Sequence, residues 1–309
     1  MESPILVTGS PRSGTTWIGK MINLSQQVGY LHETYNVMIK QNLPGEDKPN
    51  QFCLITDDNE DHLRESFNRI VNLQYSFSDL FGPNKSVPNF FHSLITHFKF
   101  ARYRRNHLRP LLKDPFVIFN VEWMVENFDI TPIILIRHPA PIYDSFHRLH
   151  WPINFDRLLR DLPDSVEREI IQNSGLLGSK VEPTPQVIGT LWSAIHRKIM
   201  TYQQDHPDWL FLRYEDIFLN LETNFKTIFE YLDLEISDET LSKIYFYTSR
   251  GYFPSEKSQV DSHISRSNLL TGWRRRVSDA DIQLLQDQVE SHIYNHYYTD
   301  ENWNPHIDF

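Results

Sequence analysis

The sequence is poor in cysteine and in basic residues. Its 309 residues include a single cysteine, Cys53. One cysteine excludes an internal disulfide framework and is typical of a reducing compartment, so we expect a cytoplasmic protein. Lysine and arginine number 30 against 40 aspartates and glutamates, for a formal net charge of −10. Because nucleic-acid binding needs a broad basic surface, this balance argues against such a partner and restricts any anion site to a local cluster.

We also expect no leader segment at the start of the sequence. An apolar, strand-like run follows Met1 within four residues, which leaves no room for a charged region and an apolar region ahead of it. We therefore expect no membrane insertion. A hydrophobic content of 40% indicates a globular chain. The length predicts one domain over residues 1–309, with inserts around 35–108 and 151–190.

The chain is organised around residues 4–17, in which a buried strand, a tight loop and a helix start follow one another. The spacing of Gly9 and Gly14 matches a P-loop, whose backbone N–H groups bind an anion at the N-terminus of the next helix. A nucleotide-triphosphate P-loop carries Lys after the second glycine. Here Thr15 takes that place and the cation, Arg12, lies inside the loop. We expect an anionic group closer to the loop than a γ-phosphate, and no metal.

This loop resembles the first signature of the PAPS-dependent sulfotransferases, P-[KR]-S-G-T-T-W. The signature is present without a gap from Pro11 to Trp17. In that family the loop holds the 5′-phosphosulfate of 3′-phosphoadenosine 5′-phosphosulfate (PAPS), and the product is 3′,5′-adenosine bisphosphate (PAP). The resemblance implies PAPS as the cofactor and the following ligands in the loop: Arg12, Ser13, Gly14, Thr15, Thr16 and Trp17.

A second signature follows a strand-like run at residues 132–136. Arg137 ends this run, and Ser145 comes eight residues later. Sulfotransferases have an arginine and a serine at this spacing, and both bind the 3′-phosphate. Arginine suits that task because its planar fork binds phosphate with two parallel hydrogen bonds. A P-loop NTPase would more naturally end a nearby strand with a magnesium-binding aspartate, so Arg137 argues against a kinase.

The resemblance implies two further cofactor contacts. Tyr214, within an Arg-Tyr-Glu-Asp segment, is similar to a tyrosine near the adenosine of the cofactor; packing at a strand end is the alternative. The polar segment 251–271 is similar to a basic loop that covers the 3′-phosphate, and Arg266 is the expected ligand. The Arg-Lys-Gly triplet of the cytosolic sulfotransferases is absent there, which leaves this ligand open by one or two residues.

Two residues resemble the catalytic pair of the glutamate-base sulfotransferases, the tyrosylprotein and bacterial types. Glu33 follows Arg12 by 21 residues, and Lys113 opens a Lys-Asp-Pro triplet. The resemblance implies that Glu33 is the general base and that Lys113 and Arg12 stabilise charge on the leaving phosphate. The alternatives are a solvated Glu33 and a Lys113 that only pairs with Asp114. Three histidines remain alternative bases, because cytosolic sulfotransferases use one: His32, His92 and His97.

Five short strands alternate with helices along the chain, near residues 5–9, 28–32, 110–113, 132–137 and 209–213. This alternation predicts an α/β fold with three α/β/α layers around a mostly parallel sheet of about five strands. The aromatic segment from Tyr294 to Phe309 is expected to pack on the surface.

The resemblance implies transfer of a sulfuryl group from PAPS to a hydroxyl group of a small-molecule or glycan acceptor. A saccharide or another alcohol is the expected acceptor, and a phenol or a protein tyrosine remains an alternative. Two alternatives remain open. A P-loop kinase needs a phosphate-binding lysine and a magnesium aspartate, which the sequence does not offer in place. A non-catalytic adenosine-phosphate binder needs Arg12, Arg137 and Ser145 but neither Glu33 nor Lys113.

Overall fold

The computed structural model describes residues 2–33, 52, 54–74, 87–250 and 270–304. The chain divides into two compact units. The first unit comprises Met1–Thr8 and Thr15–Ile133, and the second comprises Gly9–Gly14 and Ile134–Phe309. The expectation of one domain over the whole chain stays a prediction.

The strands of the described residues form a five-stranded sheet with the order β2-β3-β1-β4-β5. They are β1 (Ile5–Gly9), β2 (Val28–His32), β3 (Arg109–Lys113), β4 (Thr131–Ile136) and β5 (Leu210–Arg213). β3 pairs in parallel with both β1 and β2, and Val7 is in register with Lys113. Every residue of β1 and β3 is buried, as expected for parallel strands covered on both faces. The predicted α/β class with a mostly parallel sheet is confirmed.

Thirteen α-helices occur in the described part of the chain. They are α1 (Thr15–Asn23), α2 (Glu60–Val71), α3 (Val87–Arg105), α4 (Val121–Phe128), α5 (Pro139–Leu149), α6 (Phe155–Asp161), α7 (Val166–Asn173), α8 (Pro185–Asp205), α9 (Tyr214–Leu219), α10 (Leu221–Tyr231), α11 (Asp238–Arg250), α12 (Asp279–Gln288) and α13 (Ser291–Tyr297). Short 3₁₀ helices cover Pro115–Asn120, Gly272–Arg275 and Asp300–Trp303. None of the described helices is long and apolar enough to cross a membrane.

In the first unit, α1 packs on β2 and β3. A glycine allows this close approach, because a Cβ added to Gly19 would lie 2.8 Å from the ring of Tyr30 and 3.5 Å from the Cβ of Lys113. Ile18, Met21 and Ile22 of the same helix are buried. The helix that follows the loop is thereby fixed against the strand that carries Lys113.

In the second unit, α8 is the central helix and packs against α5, α7, α12 and α13. Thr184 caps its N-terminus by accepting a hydrogen bond from the backbone of Val187, and Pro185 occupies its first turn. Trp192 and Tyr202 are among the largest fully buried side chains of the protein. This packing holds α5, the helix that carries Ser145.

The expectation of a surface aromatic segment is wrong for its described part. α13 and the 3₁₀ helix Asp300–Trp303 form there, and Tyr294, Tyr298 and Trp303 are buried. The physical reason is a buried histidine, His138, whose ring makes contact with all three aromatic rings. The aromatic residues therefore belong to the core of the second unit.

Candidate active site

The loop between β1 and α1 depends on its two glycines. Gly9 has a φ of +141° and Gly14 a φ of +96°. A Cβ on Gly9 would lie 2.3 Å from the carbonyl oxygen of Leu135, and a Cβ on Gly14 would lie 2.4 Å from the ring of Tyr214. Only glycine combines these backbone angles with this close packing. The loop is thus pressed against the carboxyl end of β4 and the start of α9.

Two arginines and a serine, far apart in sequence, come together at this loop. Arg12 Nε donates a hydrogen bond to Ser145 Oγ at 2.7 Å. Arg137 Nη1 donates to the carbonyl oxygen of Arg12 at 2.8 Å. The guanidinium of Arg137 also lies 4.0 Å from the centroid of the Tyr214 ring, a cation–π contact. The structure therefore places three of the predicted ligands in one cluster with two positive charges.

The ring of Tyr214 packs against the guanidinium of Arg137. Its side chain is 5% exposed, and burial raises the pKa of its hydroxyl while the charge of Arg137 opposes that shift. The ring packs between Gly14 and the guanidinium of Arg137. The predicted contact of Tyr214 with an adenosine stays a prediction.

Ser13 shows that the loop suits an anion. Its side chain is fully buried, and its hydroxyl has no hydrogen-bond partner among the described residues. A buried hydroxyl without a partner lowers stability by about 1–3 kcal/mol, and an oxygen of a bound anion would satisfy it. Together with Arg12 and Arg137, this hydroxyl fits the phosphate groups of PAPS.

The first unit holds a second cluster, formed by Glu33 and Lys113 at the carboxyl ends of β2 and β3. Lys113 Nζ lies 2.5 Å from Glu33 Oε1, and the side chain of Lys113 is only 2% exposed. The backbone N–H of Glu33 donates to the carbonyl of Lys113 at 2.7 Å. Lys113 is in register with Val7 of the neighbouring strand β1, which belongs to the same unit.

Asp114 has a role of its own. Its side chain accepts a hydrogen bond from the backbone N–H of Phe116 and so caps the 3₁₀ helix Pro115–Asn120. Its backbone N–H donates to the carbonyl of Val7. The alternative in which Lys113 and Asp114 only pair with each other is therefore wrong.

The structure distinguishes the three alternative histidines by position. His32 Nε2 lies 3.7 Å from Glu33 Oε1, and His32 Nδ1 lies 3.1 Å from the hydroxyl of Tyr30. His97 lies in α3, where its ring contacts Phe98. The side chain of His92 lies outside the described residues.

The remaining predicted ligands fall in two places. Thr15, Thr16 and Trp17 form the first turn of α1. Arg266 lies outside the described residues. Among the residues that are described, no group of three or more histidine, cysteine, aspartate or glutamate side chains is arranged to hold a metal ion.

Sequence reasoning missed two residues beside Arg137. His138 is buried, and desolvation lowers its pKa to about 3. Glu215 accepts a hydrogen bond from the backbone N–H of His138 at 3.2 Å, and burial raises the pKa of its carboxyl group. His138 follows Arg137 in sequence and Glu215 follows Tyr214, and this adjacency to predicted ligands is the signal that could have identified them. Nothing local indicated that they meet.

This chain was compared with protein families, with curated proteins and with solved structures. The sequence model of the sulfotransferase family matches residues 4–238. None of the curated proteins gives a significant match. Among solved structures, the sulfotransferase domain from the curacin biosynthetic pathway is 16% identical, with a TM-score of 0.46, and the alignment covers 94% of this chain and 99% of that chain.

Two further structures are similar at the same level. Mouse sulfotransferase SULT7A1 complexed with PAP is 12% identical, with a TM-score of 0.45 and coverage of 98% of this chain and 87% of that chain. Retinol dehydratase in complex with retinol and PAP is 14% identical, with a TM-score of 0.44 and coverage of 92% and 80%. Since all three TM-scores are below 0.5, the family assignment comes from the sequence match.

Proposed function

This chain belongs to the sulfotransferase family, and from that premise we propose that it transfers a sulfuryl group from PAPS to a hydroxyl group of an acceptor and releases PAP. The observation that carries the proposal is the cluster of Arg12, Ser145 and Arg137 at a glycine loop. An acidic chain with a net charge of −10 gathers two guanidinium groups there, as a polyanionic ligand requires.

The two phosphate groups of the donor are assigned to different residues. We propose that Ser13, Thr15, Thr16 and the loop amides hold the 5′-phosphate, which would satisfy the buried hydroxyl of Ser13. Arg137 and Ser145 hold the 3′-phosphate. ATP has no phosphate at that position, so these two residues favour PAPS over ATP.

In the reaction, the acceptor oxygen forms a bond to sulfur while the bond from sulfur to the 5′-phosphate oxygen breaks. Glu33 takes the proton of the acceptor hydroxyl. Lys113 holds Oε1 of Glu33, which leaves Oε2 for that proton. Arg12 and Lys113 stabilise the negative charge that the leaving phosphate gains with the electron pair. PAPS supplies the sulfuryl group, and the residues supply position and charge.

The acceptor is proposed as a small molecule or a glycan. A saccharide or another alcohol is favoured by the resemblance to the glutamate-base sulfotransferases and by the aromatic content of 13%, with a phenol or a protein tyrosine as the alternative. The cytoplasmic location expected from the single cysteine also stays a prediction.

The first test is calorimetric titration with PAP beside ATP and magnesium. We expect binding of PAP and none of ATP, because Arg137 and Ser145 recognise a 3′-phosphate. Binding of ATP without binding of PAP would overturn the proposal and favour a P-loop kinase. Once PAP binding is established, turnover of labelled PAPS across saccharides, alcohols and phenols identifies the acceptor.

The second test separates a sulfotransferase from a non-catalytic binder and identifies the base. Replacing Glu33→Gln should lower kcat by about 100-fold or more and leave the affinity for PAP within twofold of wild type. The matched variant His32→Asn changes the neighbouring side chain. If His32→Asn loses the larger share of turnover, the base is His32 and the role of Glu33 is wrong.

A further inference from the structure

The peptide bond between Arg137 and His138 is held from both sides. The indole Nε1 of Trp192 donates a hydrogen bond to the carbonyl of Arg137 at 2.9 Å. The N–H of the same peptide bond donates to Oε1 of Glu215 at 3.2 Å. Because this peptide follows the Cα of Arg137 directly, its orientation sets the direction in which the guanidinium leaves the strand. Glu215 therefore fixes the N–H side of the peptide bond that follows Arg137.

Glu215 is in turn oriented by a tyrosine from the end of the chain. The hydroxyl of Tyr298 donates to Oε2 of Glu215 at 3.0 Å. The two carboxylate oxygens thus have different partners, and the bond from Tyr298 fixes the rotation that presents Oε1 to His138. Tyr298 is 4% exposed, and its ring lies 5.4 Å from the guanidinium carbon of Arg213.

The segment that supplies Tyr298 also encloses His138. Four aromatic rings contact the imidazole, namely Trp273, Tyr294, Tyr298 and Trp303. Nδ1 of His138 accepts a hydrogen bond from the backbone N–H of Ala140, so Nε2 carries the proton and donates to the hydroxyl of Tyr294 at 3.0 Å. That hydroxyl donates to the carbonyl of Thr299. The histidine is a neutral, fully bonded part of the support.

All of these aromatic residues lie beyond residue 238, where the family match ends. Arg137, which they support only indirectly, lies within the matched range. We propose that Tyr298 and Glu215 are positioning residues for Arg137, so that the C-terminal segment of this chain sets its affinity for the 3′-phosphate of the donor. The inference rests on the proposed function, in which Arg137 binds that phosphate.

The adjacent tyrosine provides a matched control. Tyr297 is buried like Tyr298, but its hydroxyl donates to Oε1 of Gln203 at 3.0 Å and lies 3.4 Å from the carbonyl oxygen of His196. Neither of these groups contacts Glu215 or Arg137 in the described hydrogen bonds. Tyr298→Phe and Tyr297→Phe each remove one hydroxyl from the same part of the fold, and only the first frees Glu215.

The experiment measures the affinity of the full chain for PAP and for 5′-AMP, which lacks the 3′-phosphate. In wild type, the ratio of the two affinities reports the contribution of the 3′-phosphate. We expect Tyr298→Phe to lower this ratio about 5-fold or more, since Oε2 of Glu215 loses its hydrogen bond and the position of Arg137 is less well fixed. Tyr297→Phe should leave the ratio within twofold of wild type.

A second pair of variants tests the carboxylate itself. Glu215→Ala should lower the ratio at least as much as Tyr298→Phe does, and Glu215→Gln should restore most of it because the amide oxygen still accepts from His138. If Glu215 only stabilised the fold, the ratio of the two affinities would stay at the wild-type value in both variants.

The outcomes separate the inference from its premise. A wild-type chain with equal affinity for PAP and 5′-AMP overturns the assignment of Arg137 and the inference with it. If wild type prefers PAP but Tyr298→Phe keeps the full ratio, or if Tyr297→Phe loses as much, the inference alone is overturned.

Discussion

Two residues with proposed catalytic roles hold a backbone conformation that side chains rarely adopt. Arg12 has a φ of +70° and Glu33 a φ of +46°. For a residue other than glycine this left-handed conformation costs about 1–2 kcal/mol, and such strain is concentrated at functional sites. Bonds to the backbone hold both in place: Arg137 donates to the carbonyl of Arg12, and the N–H of Glu33 donates to Lys113. Each strained residue is thus fixed by another residue of its own cluster.

Also at the residue scale, two buried histidines make stability depend on pH. Burial lowers the pKa of His138 and of His196 to about 3. Below pH 6.5 the unfolded chain protonates both residues, whereas the folded chain keeps them neutral down to about pH 3. The free energy of unfolding should therefore fall as the pH falls through this window, by about 1.4 kcal/mol per pH unit for each histidine.

Urea unfolding between pH 7 and 5 measures this slope, and His196→Phe should reduce it by the share of one histidine. Phenylalanine keeps the stacking on Trp192, whose ring centroid lies 4.0 Å from that of His196. The control is His150→Asn at an exposed position with a φ of +47°, which asparagine tolerates. An unchanged slope in His196→Phe would contradict the prediction.

At the scale of elements, three consecutive residues of α5 reach three different parts of the second unit. Ser145 accepts from Arg12, and Asp144 is bound by the guanidinium of Arg276 through its Nε and Nη2 atoms at 2.7–3.2 Å. Burial, followed by the nearby carboxylate of Asp281 in α12, raises the pKa of Tyr143 to about 12. The helix that presents Ser145 is therefore oriented by residues near the end of the chain.

The two arginines on Asp144 should differ in their effect on stability. The side chain of Asp144 is 6% exposed, and Arg276→Ala removes its main partner, which should lower the free energy of unfolding by about 1–3 kcal/mol. Arg148 lies 3.3 Å from the same carboxylate with its own side chain 57% exposed, so Arg148→Ala should cost about 0.5 kcal/mol or less. Equal losses in chemical denaturation would contradict this account of the helix.

The loop allows a second prediction at this scale. Gly14→Ala should lower the free energy of unfolding by about 2 kcal/mol or more, because the new methyl group collides with Tyr214 at a positive φ. Gly175→Ala is the control, since Gly175 has a φ of +68° and nothing within 4 Å of the added Cβ. There the expected loss is about 1 kcal/mol from the backbone alone. Thermal melting of both variants makes the comparison, and similar losses would show that the packing of the loop on Tyr214 has little weight.

At the scale of the whole molecule, the family match ends at residue 238, but the hydrophobic core continues beyond it. Leu285, Ile293, Tyr294 and Trp303 are each 6% exposed or less. Natural domains have only about 5–15 kcal/mol of net stability, and a buried aromatic side chain contributes about 2–3 kcal/mol. We therefore expect the segment after the match to be needed for folding.

A chain truncated after residue 290 tests this requirement. It lacks α13 and the 3₁₀ helix Asp300–Trp303, and it uncovers His138. We expect this chain to lose its cooperative thermal transition, as followed by circular dichroism. A transition at the temperature of the full chain would show that the C-terminal segment is dispensable.

Local patterns in the sequence determined the strands and the loop. Each predicted strand agrees with the structure to within one residue at either end, because a short apolar run between polar turns is a local signal. The segment from Pro11 to Trp17 likewise identifies the family by itself, since its glycines, cation and hydroxyls are contiguous. Some helices carry no such signal: α6, α9 and α13 have only six or seven residues each, too few for a clear helical period.

Tertiary structure alone decided which distant side chains meet. Glu33 and Lys113 are 80 residues apart in sequence, and Glu215 and Tyr298 are 83 apart. No local period records such pairs, because they depend on strand order and on how helices pack. The same reason explains why the aromatic residues near the C-terminus were expected on the surface: only the folded chain shows that they cover His138. The sequence by itself determined the chemistry of the loop, and the packing of distant elements determined what holds its arginines in place.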